Sequence, residues 1–295
     1  MHLGPTLIVD TFAEAFRMRY TRLIVTAHDE HWLHAATTEA CGYGSSVIQC
    51  DAEIAVERVL TPDESPDGRP AAALLAFGFS TEALAKAIPK RVGQCVMTCP
   101  TTAVYDGLPE GEERIPLGKH LRFFGDGFQK SKKPLERRYW RVPVMDGEFV
   151  VEESLGVAKG IAGGKIILQG TSLDVALDAA RRVSEAVAPL GGVITPFPGG
   201  VVRSGSKVGS RYKGMVASTN DAFCPTLRGR VATELVPEAQ CAYEIVINSV
   251  DEPPLAEAMR VALRTAAGEG IPAISAGNYG GKLGKFHFHL RQLLS

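Results

Sequence analysis

The sequence predicts an α/β (α+β) protein made of two ferredoxin-like α/β sandwich lobes related by an internal repeat. Three observations carry this reading. Apolar strands alternate with amphipathic helices, each half holds two βαβ units, and the order of elements in the first half recurs in the second at one offset. Thr11 and Ser154, and likewise Leu23 and Ile166, lie 143 residues apart in a chain of 295.

In the first half, Asp10–Phe12 precedes an apolar strand at Arg22–Ala27, a helix from about Asp29 to Cys41 and a strand at Ser45–Cys50. In the second, Glu153–Leu155 precedes a strand at Lys165–Gln169, a helix from about Ser172 to Ala188 and a strand at Gly192–Phe197. Each half then adds one strand and one helix. These are Ala73–Phe79 with Ser80–Val92, and Tyr243–Asn248 with Leu255–Ala267. Thr81–Lys90 and Leu255–Arg264 space their apolar residues as helices lying on a sheet do. The turn Met145-Asp146-Gly147 divides the chain into lobes 1–145 and 146–295. TPDESPDGRP, Thr61–Pro70, is an exposed loop inside the first half, and the charged stretch Lys130–Arg138 is a solvated turn.

Composition excludes several classes. With 45% hydrophobic residues and a mean hydropathy of +0.03, the chain is a folded globular protein. Lys and Arg number 32 against 33 Asp and Glu, so no global field exists to hold nucleic acid or an acidic membrane. Charges interrupt every apolar run well short of the ~20 residues that span a bilayer, and the start, MHLGPTLIVDTFAEAF, lacks a signal-peptide pattern. Both point to the cytoplasm. The six cysteines, at 41, 50, 95, 99, 224 and 241, show no framework spacing and read as reduced, buried thiols.

Common catalytic motifs are also missing. No Gly-Lys pair has a glycine five residues before its Gly, so there is no P-loop. Neither G-x-S-x-G nor H-E-x-x-H occurs, and Gly42 and Gly44 lack the third glycine of a dinucleotide fingerprint. His28, His31 and His34 open a helix, where a metal site competes with a solvated face. His287 and His289 share one side of a strand, with the same two readings.

What remains is a charge pattern and one carboxylate. No acid falls between Glu185 and Asp221, or from Gly270 to the end of the chain. The first gap holds ITPFPGGVVRSGSKVGSRYK, Ile194–Lys213, with Arg203, Lys207, Arg211 and Lys213; the second holds ISAGNYGGKLGK, Ile274–Lys285. Glycine and serine among cations let backbone N–H groups and positive charge approach an anion together. The alternative is two solvated glycine-rich turns. Candidate substrate-binding residues are Pro196, Phe197, Arg203, Ser204, Ser206 and Lys207 in the first stretch, and Asn278, Tyr279 and Lys282 in the second. Glu244, in CAYEIVIN, interrupts a run that reads as a central strand, with Tyr243 and Ile245 facing the other side. A carboxyl group buried there, if protonated, can donate a hydrogen bond to a developing oxyanion. The alternative is a strand-end glutamate facing solvent.

Six segments together resemble the formylmethanofuran:tetrahydromethanopterin formyltransferase family nearly end to end. They are DTFAEAF (Asp10–Phe16), GQCVMTCPTTAVYDGLP (Gly93–Pro109), LRFFGDGF (Leu121–Phe128), ITPFPGG with RSGSKVGS (Ile194–Ser210), AYEIVI (Ala242–Ile247) and ISAGNYGGKLGK. The resemblance implies two ferredoxin-like lobes in an oligomer, commonly a homotetramer. It implies an acyltransferase of one-carbon metabolism that uses methanofuran and tetrahydromethanopterin as coenzyme substrates, with no prosthetic group and no metal. It puts the family's oxyanion-stabilising glutamic acid on Glu244. The near-neutral, Ala- and Arg-rich composition favours the bacterial, formaldehyde-oxidising setting, beside hydrolase subunits of a formyltransferase/hydrolase complex. Alternatives are a non-catalytic subunit of that complex, the same transfer run in the methanogenic direction, and a metal-dependent deformylase working through its histidines.

Overall fold

A computed structural model describes all 295 residues, Met1–Ser295. The chain opens with β1 (His2–Leu3), β2 (Thr6–Ile8) and the long β3 (Phe12–Thr26), followed by α1 (Glu30–Cys41), β4 (Glu53–Leu60) and β5 (Ala71–Gly78). Next come α2 (Thr81–Arg91), β6 (Ala103–Asp106), β7 (Glu113–Pro116), α3 (Gly118–Leu121), β8 (Lys130–Lys132), β9 (Tyr139–Val144), β10 (Gly147–Glu152) and the long β11 (Ser154–Gly170). The remainder is α4 (Leu173–Val187), β12 (Val193–Ile194), β13 (Lys207–Val208), β14 (Ala217–Ser218), β15 (Cys241–Ser249), α5 (Glu252–Ala266), β16 (Ala273–Ala276), β17 (Phe286–His289) and α6 (Leu290–Leu293). Two compact units result: Met18–Gly160, and Met1–Arg17 together with Ile161–Ser295.

In Met18–Gly160, β3 is central, antiparallel to β5 on one side and to β6 on the other, and β4 pairs with the far edge of β5. Counting strands along the chain from β3, the spatial order is 2-3-1-4, the ferredoxin-like arrangement. The parallel neighbour β10 and the antiparallel β9 and β8 extend the sheet beyond β6. Leu23, Val25, Leu74 and Ala76 of the sheet meet Leu33, Ala36, Leu84 and Ile88 of α1 and α2 in one apolar core. Both helices start where the sequence places their caps. Asp29 accepts from the Trp32 amide at 3.1 Å and Ser80 from the Ala83 amide at 3.2 Å, each worth about 1 kcal/mol.

The second unit repeats the order. Its central strand is the 161–170 part of β11, antiparallel to β15 and to β16; β12 pairs with β15, and β2 runs parallel to β16. Ser172 caps α4 and Asp251 caps α5, whose prolines at 253 and 254 occupy the first turn, where a missing N–H costs nothing. Ala176, Ala179, Ala180, Val183 and Val187 of α4 face α5 and the sheet in a core with Ile166, Leu168, Ile245 and Ile247. The two units differ most between their second and third strands. Residues 61–70 make that connection in one, and residues 195–240 in the other.

Several sequence expectations need correcting. Ser45–Cys50 is a polar turn, with the Ser46 carbonyl accepting the Gln49 and Cys50 amides; the strand is β4, whose EIAVERVL supplies the β-branched and apolar side chains. The strand expected at Gly192–Phe197 is only Val193–Ile194 long, since Pro196 and Pro198 have no N–H for a ladder. Within Lys130–Arg138, residues 130–132 pair with β9 as an exposed edge strand. The cysteines are half-buried, and burial pushes the Cys41 thiol up to about 12.

Candidate active site

β15 lies between β11 and β12. Ile245 and Ile247 point into the helix-side core, so the strand's alternation turns Glu244 to the opposite face of the sheet, where it is 5% exposed. That face is roofed by the 195–240 connection. Val202 and Glu244 exchange both main-chain hydrogen bonds, at 2.8 and 3.1 Å, and Phe223, Leu235 and Ala239 pack on Ile167 of β11. A small cleft open to solvent is left beside the carboxyl group, walled by Arg203, Ser204, Asn220, Cys224 and Tyr243.

Two side chains address Glu244 directly. The Asn220 amide donates to Oε1 at 3.3 Å, and the Lys165 ammonium stands 3.9 Å from Oε2. Lys165 reaches there from β11, opposite Val246 and two residues before Ile167, which pairs with Glu244. Its side chain is 7% exposed and its Nζ lies 5.5 Å from the centre of the Tyr279 ring. Both groups need a neighbouring glycine. A Cβ at Gly277 would sit 1.9 Å from Lys165 Cε. One at Gly205 (φ +58°) would come within 3.2 Å of Glu244 Oε1 and 2.8 Å of Asn220 Cβ.

The loop after β16 is organised by an anion of the chain itself. Glu14, 1% exposed on β3, accepts the amides of Tyr279 (2.7 Å), Gly281 (2.9 Å), Leu283 (2.6 Å) and Gly284. Burial acts to raise this carboxyl's pKa, but the N–H groups of Gly284, Tyr279, Leu283 and Gly281 together hold it below the usual carboxylate range. The nest of amides read from ISAGNYGGKLGK therefore exists, and Glu14 fills it.

The other sequence-selected residues are dispersed around this centre. Arg203 and Ser204 stand on the cleft wall, and Ser206 follows in the same segment. Lys207 is ion-paired with Asp221, whose carboxyl it holds below its ordinary range. Pro196 is buried and Phe197 half-buried in the turn after β12, where the Phe197 carbonyl accepts the Gly200 amide. Asn278 donates to Thr11 Oγ1 at 3.1 Å and accepts from the Gly280 amide, which braces the loop, while Lys282 is exposed. His28, His31 and His34 lie exposed at the start of α1. His287 and His289 flank the ring of Phe12 at 5.0 and 5.2 Å, and nowhere are three His, Cys, Asp or Glu side chains gathered as a metal would need. Sequence reasoning missed Lys165, Asn220, Gly205, Gly277 and Glu14. For Lys165 a signal existed, a lysine inside an apolar strand.

A family model described as formylmethanofuran-tetrahydromethanopterin formyltransferase matches residues 1–144, and one described as its proximal lobe matches 147–293. The formylmethanofuran--tetrahydromethanopterin formyltransferase of Rhodopirellula baltica is 52% identical, over 98% of this chain and 91% of its own. One subunit of the formyltransferase/hydrolase complex of Methylorubrum extorquens is 48% identical, over 99% of this chain and 97% of its own. The solved formyltransferase of Methanosarcina barkeri superposes with a TM-score of 0.94 at 44% identity, covering 100% of both chains. A chain of the Methylorubrum extorquens complex, solved with methylofuran, superposes at 0.96 and 47% identity, covering 100% of this chain and 99% of that one.

Proposed function

Since this chain belongs to the formylmethanofuran-tetrahydromethanopterin formyltransferase family, we infer that it moves a formyl group between the amine of methanofuran and N5 of tetrahydromethanopterin. The two nitrogens meet at one formyl carbon, through a tetrahedral intermediate whose oxygen carries negative charge. Such a reaction needs the coenzymes held in line and a preorganised partner for the developing charge.

We propose that the chemistry is done at Glu244. The observation that carries this is a carboxyl group 5% exposed on a central strand, at the wall of a cleft, with an amide donor at 3.3 Å and a cation at 3.9 Å. The amide donates a hydrogen bond to it and the cation stands beside it, which suits a carboxylate that accepts a proton from the attacking nitrogen. Arg203, Ser204 and Ser206 would take one coenzyme's polar groups at the cleft mouth. Pro196, Phe197, Lys207, Asn278, Tyr279 and Lys282 would shape the approaches. Formation of formylmethanofuran from methanofuran and formyl-tetrahydromethanopterin by the purified protein tests the reading, and no transfer in either direction would overturn it.

The bacterial relatives, one of them from a formyltransferase/hydrolase complex, support a formaldehyde-oxidising direction and hydrolase partners, and a homotetrameric core is proposed with them. No helix is long and apolar enough to cross a membrane. Six unbridged cysteines support a cytoplasmic setting. The halves 1–145 and 146–295 are proposed as the repeated units of the sequence, each giving the strand near its start, β2 or β10, to the unit built mainly from the other half.

A further inference from the structure

We propose that the Lys165 ammonium is the catalytic residue that receives the formyl oxygen, and that the Glu244 carboxylate beside it carries the proton between the two nitrogens. This rests on placing the reaction at Glu244, as above.

A lysine on the central strand of a sheet is costly to bury unless its charge and its three N–H groups are answered. Lys165 is answered only in part. Its charge has Glu244, but 3.9 Å is beyond hydrogen-bond distance, and the Tyr279 ring face at 5.5 Å takes charge without accepting a localised hydrogen bond. No other acceptor in the protein reaches Nζ. The fold nevertheless holds the group firmly, because Gly277 leaves room for its stem where any side chain would collide with Cε. A buried cation with unused donors, beside a carboxylate that already accepts from Asn220, fits an oxygen that becomes negative during reaction. An ionised Glu244 has no hydrogen to donate to that oxygen; Lys165 has three.

The step balances without another reactant. The attacking amine's lone pair forms the new C–N bond, and the carbonyl π pair moves to oxygen, where the Lys165 ammonium meets the charge. The amine's proton passes to the Glu244 carboxylate. On collapse the oxygen's pair re-forms C=O, the old C–N bond breaks, and the leaving nitrogen takes the proton back from Glu244. Enzyme and protons end as they began.

This assignment opposes a protonated Glu244 acting as oxyanion donor, and the Lys165 variants separate the two. The other charged or titratable groups around the pair are Arg203, Cys224 and the Lys207–Asp221 pair from the 195–240 connection, Tyr243 from β15, and Glu14 and Tyr279 about the loop after β16.

The experiment compares Lys165→Ala, Lys165→Arg and Glu244→Gln in the intact protein, by steady-state transfer with both coenzymes and by melting. Expected for Lys165→Ala is a loss of about 10²- to 10³-fold in kcat with both KM values within about threefold of the parent. Added methylammonium restores part of that loss, and Lys165→Arg retains more kcat than Lys165→Ala. Should Lys165→Ala not fold, Lys165→Gln replaces it with the same kcat and KM criteria. A folded variant with kcat within about threefold of the parent overturns the assignment. So does a loss shared equally by Lys165→Arg and unmoved by methylammonium, which would mark a packing role. If Glu244→Gln is fully active, the placement of the reaction itself fails; if it is inactive while Lys165→Ala is active, only the role of Lys165 fails.

Discussion

The open faces of the two sheets, on the side away from the helices, make an instructive pair. In Met18–Gly160 the position 143 residues before Lys165 is Arg22, which is bound bidentately to Glu57 at 2.6 and 2.8 Å. Ile24 pairs with Ala73 where Ile167 pairs with Glu244, and Ile24, Leu60, Ala71 and Ala73 pack into an apolar patch. Even the short 61–70 connection is satisfied locally, with Asp67 accepting from Thr26 and Tyr105 at 2.9 Å and pairing with Arg69 at 2.7 Å. In the other unit the same motif carries an alanine-to-glutamate difference, a cation whose donors are unused, and a connection long enough to roof a cleft. Polar groups saturated by the protein itself hold a fold together; polar groups left unsaturated beside a cleft are available to substrate. The difference lies in one connection and two strand positions, since the motif is common to both units.

The comparison breaks most sharply on its two carboxylates. Glu244→Gln keeps the shape but cannot take up a proton, and is expected to lower kcat about 10²- to 10⁴-fold with little change in either KM. Glu57→Gln strips Arg22 of a buried partner, and should cost about 3 kcal/mol of stability while leaving kcat near the parent value. Parallel kinetics and thermal melts of the two variants decide it. Loss of activity in Glu57→Gln at temperatures where it is folded would give the saturated unit a part in the reaction, and a fully active Glu244→Gln would remove the reaction from Glu244.

Much of this architecture is legible in the sequence, and the limits are physical. The 143-residue offset survives because strand and helix periods are local, so Ser172–Ala188 or Tyr243–Asn248 can be read from their own side chains. Glu244 stands out because a carboxylate is conspicuous among β-branched residues. Lys165 is equally conspicuous in its apolar strand, but its pairing with Glu244 depends on strand register, which no local pattern states. The acid-free loop near the end of the chain is legible as a nest of amides, but its occupant is Glu14, more than 260 residues away in sequence. The short β12 follows from Pro196, whose missing N–H outweighs the apolar run before it.

Glu14 gives the next effect in size. Replacing it with Gln leaves an amide facing N–H groups that the carboxylate accepted, and about 2 kcal/mol of stability should be lost. The loop bearing Tyr279 would loosen, so KM should rise along with the drop in melting temperature. The acid limb of the parent's stability carries the same signature. Its folded pKa lies below the ordinary value of 4.5, so the stabilisation is complete above that value and is lost as pH falls through the lowered one. The Gln variant should show a flatter decline below pH 4.5. An unchanged acid limb would mean that Glu14 is not what holds the loop.

The smallest effect is expected at the two lysines that the charge pattern of the sequence nominates. Lys207 is already paired with Asp221 and Lys282 is exposed, so each can offer a coenzyme's anionic groups only a screened charge. Charge reversal at either site should raise the KM for one coenzyme by only about twofold to fivefold. That increase should vanish at about 1 M salt, where the screening length falls to about 3 Å. Lys207→Glu should have the larger effect of the two, because it also repels Asp221 and frees the segment that carries Ser204 and Ser206 to the cleft. A KM rise beyond tenfold that survives high salt would show a desolvated contact to a phosphate or carboxylate. The basic loops would then share the work of the cleft, and the contrast between a saturated unit and an unsaturated one would extend from two strand positions to the whole 195–240 connection.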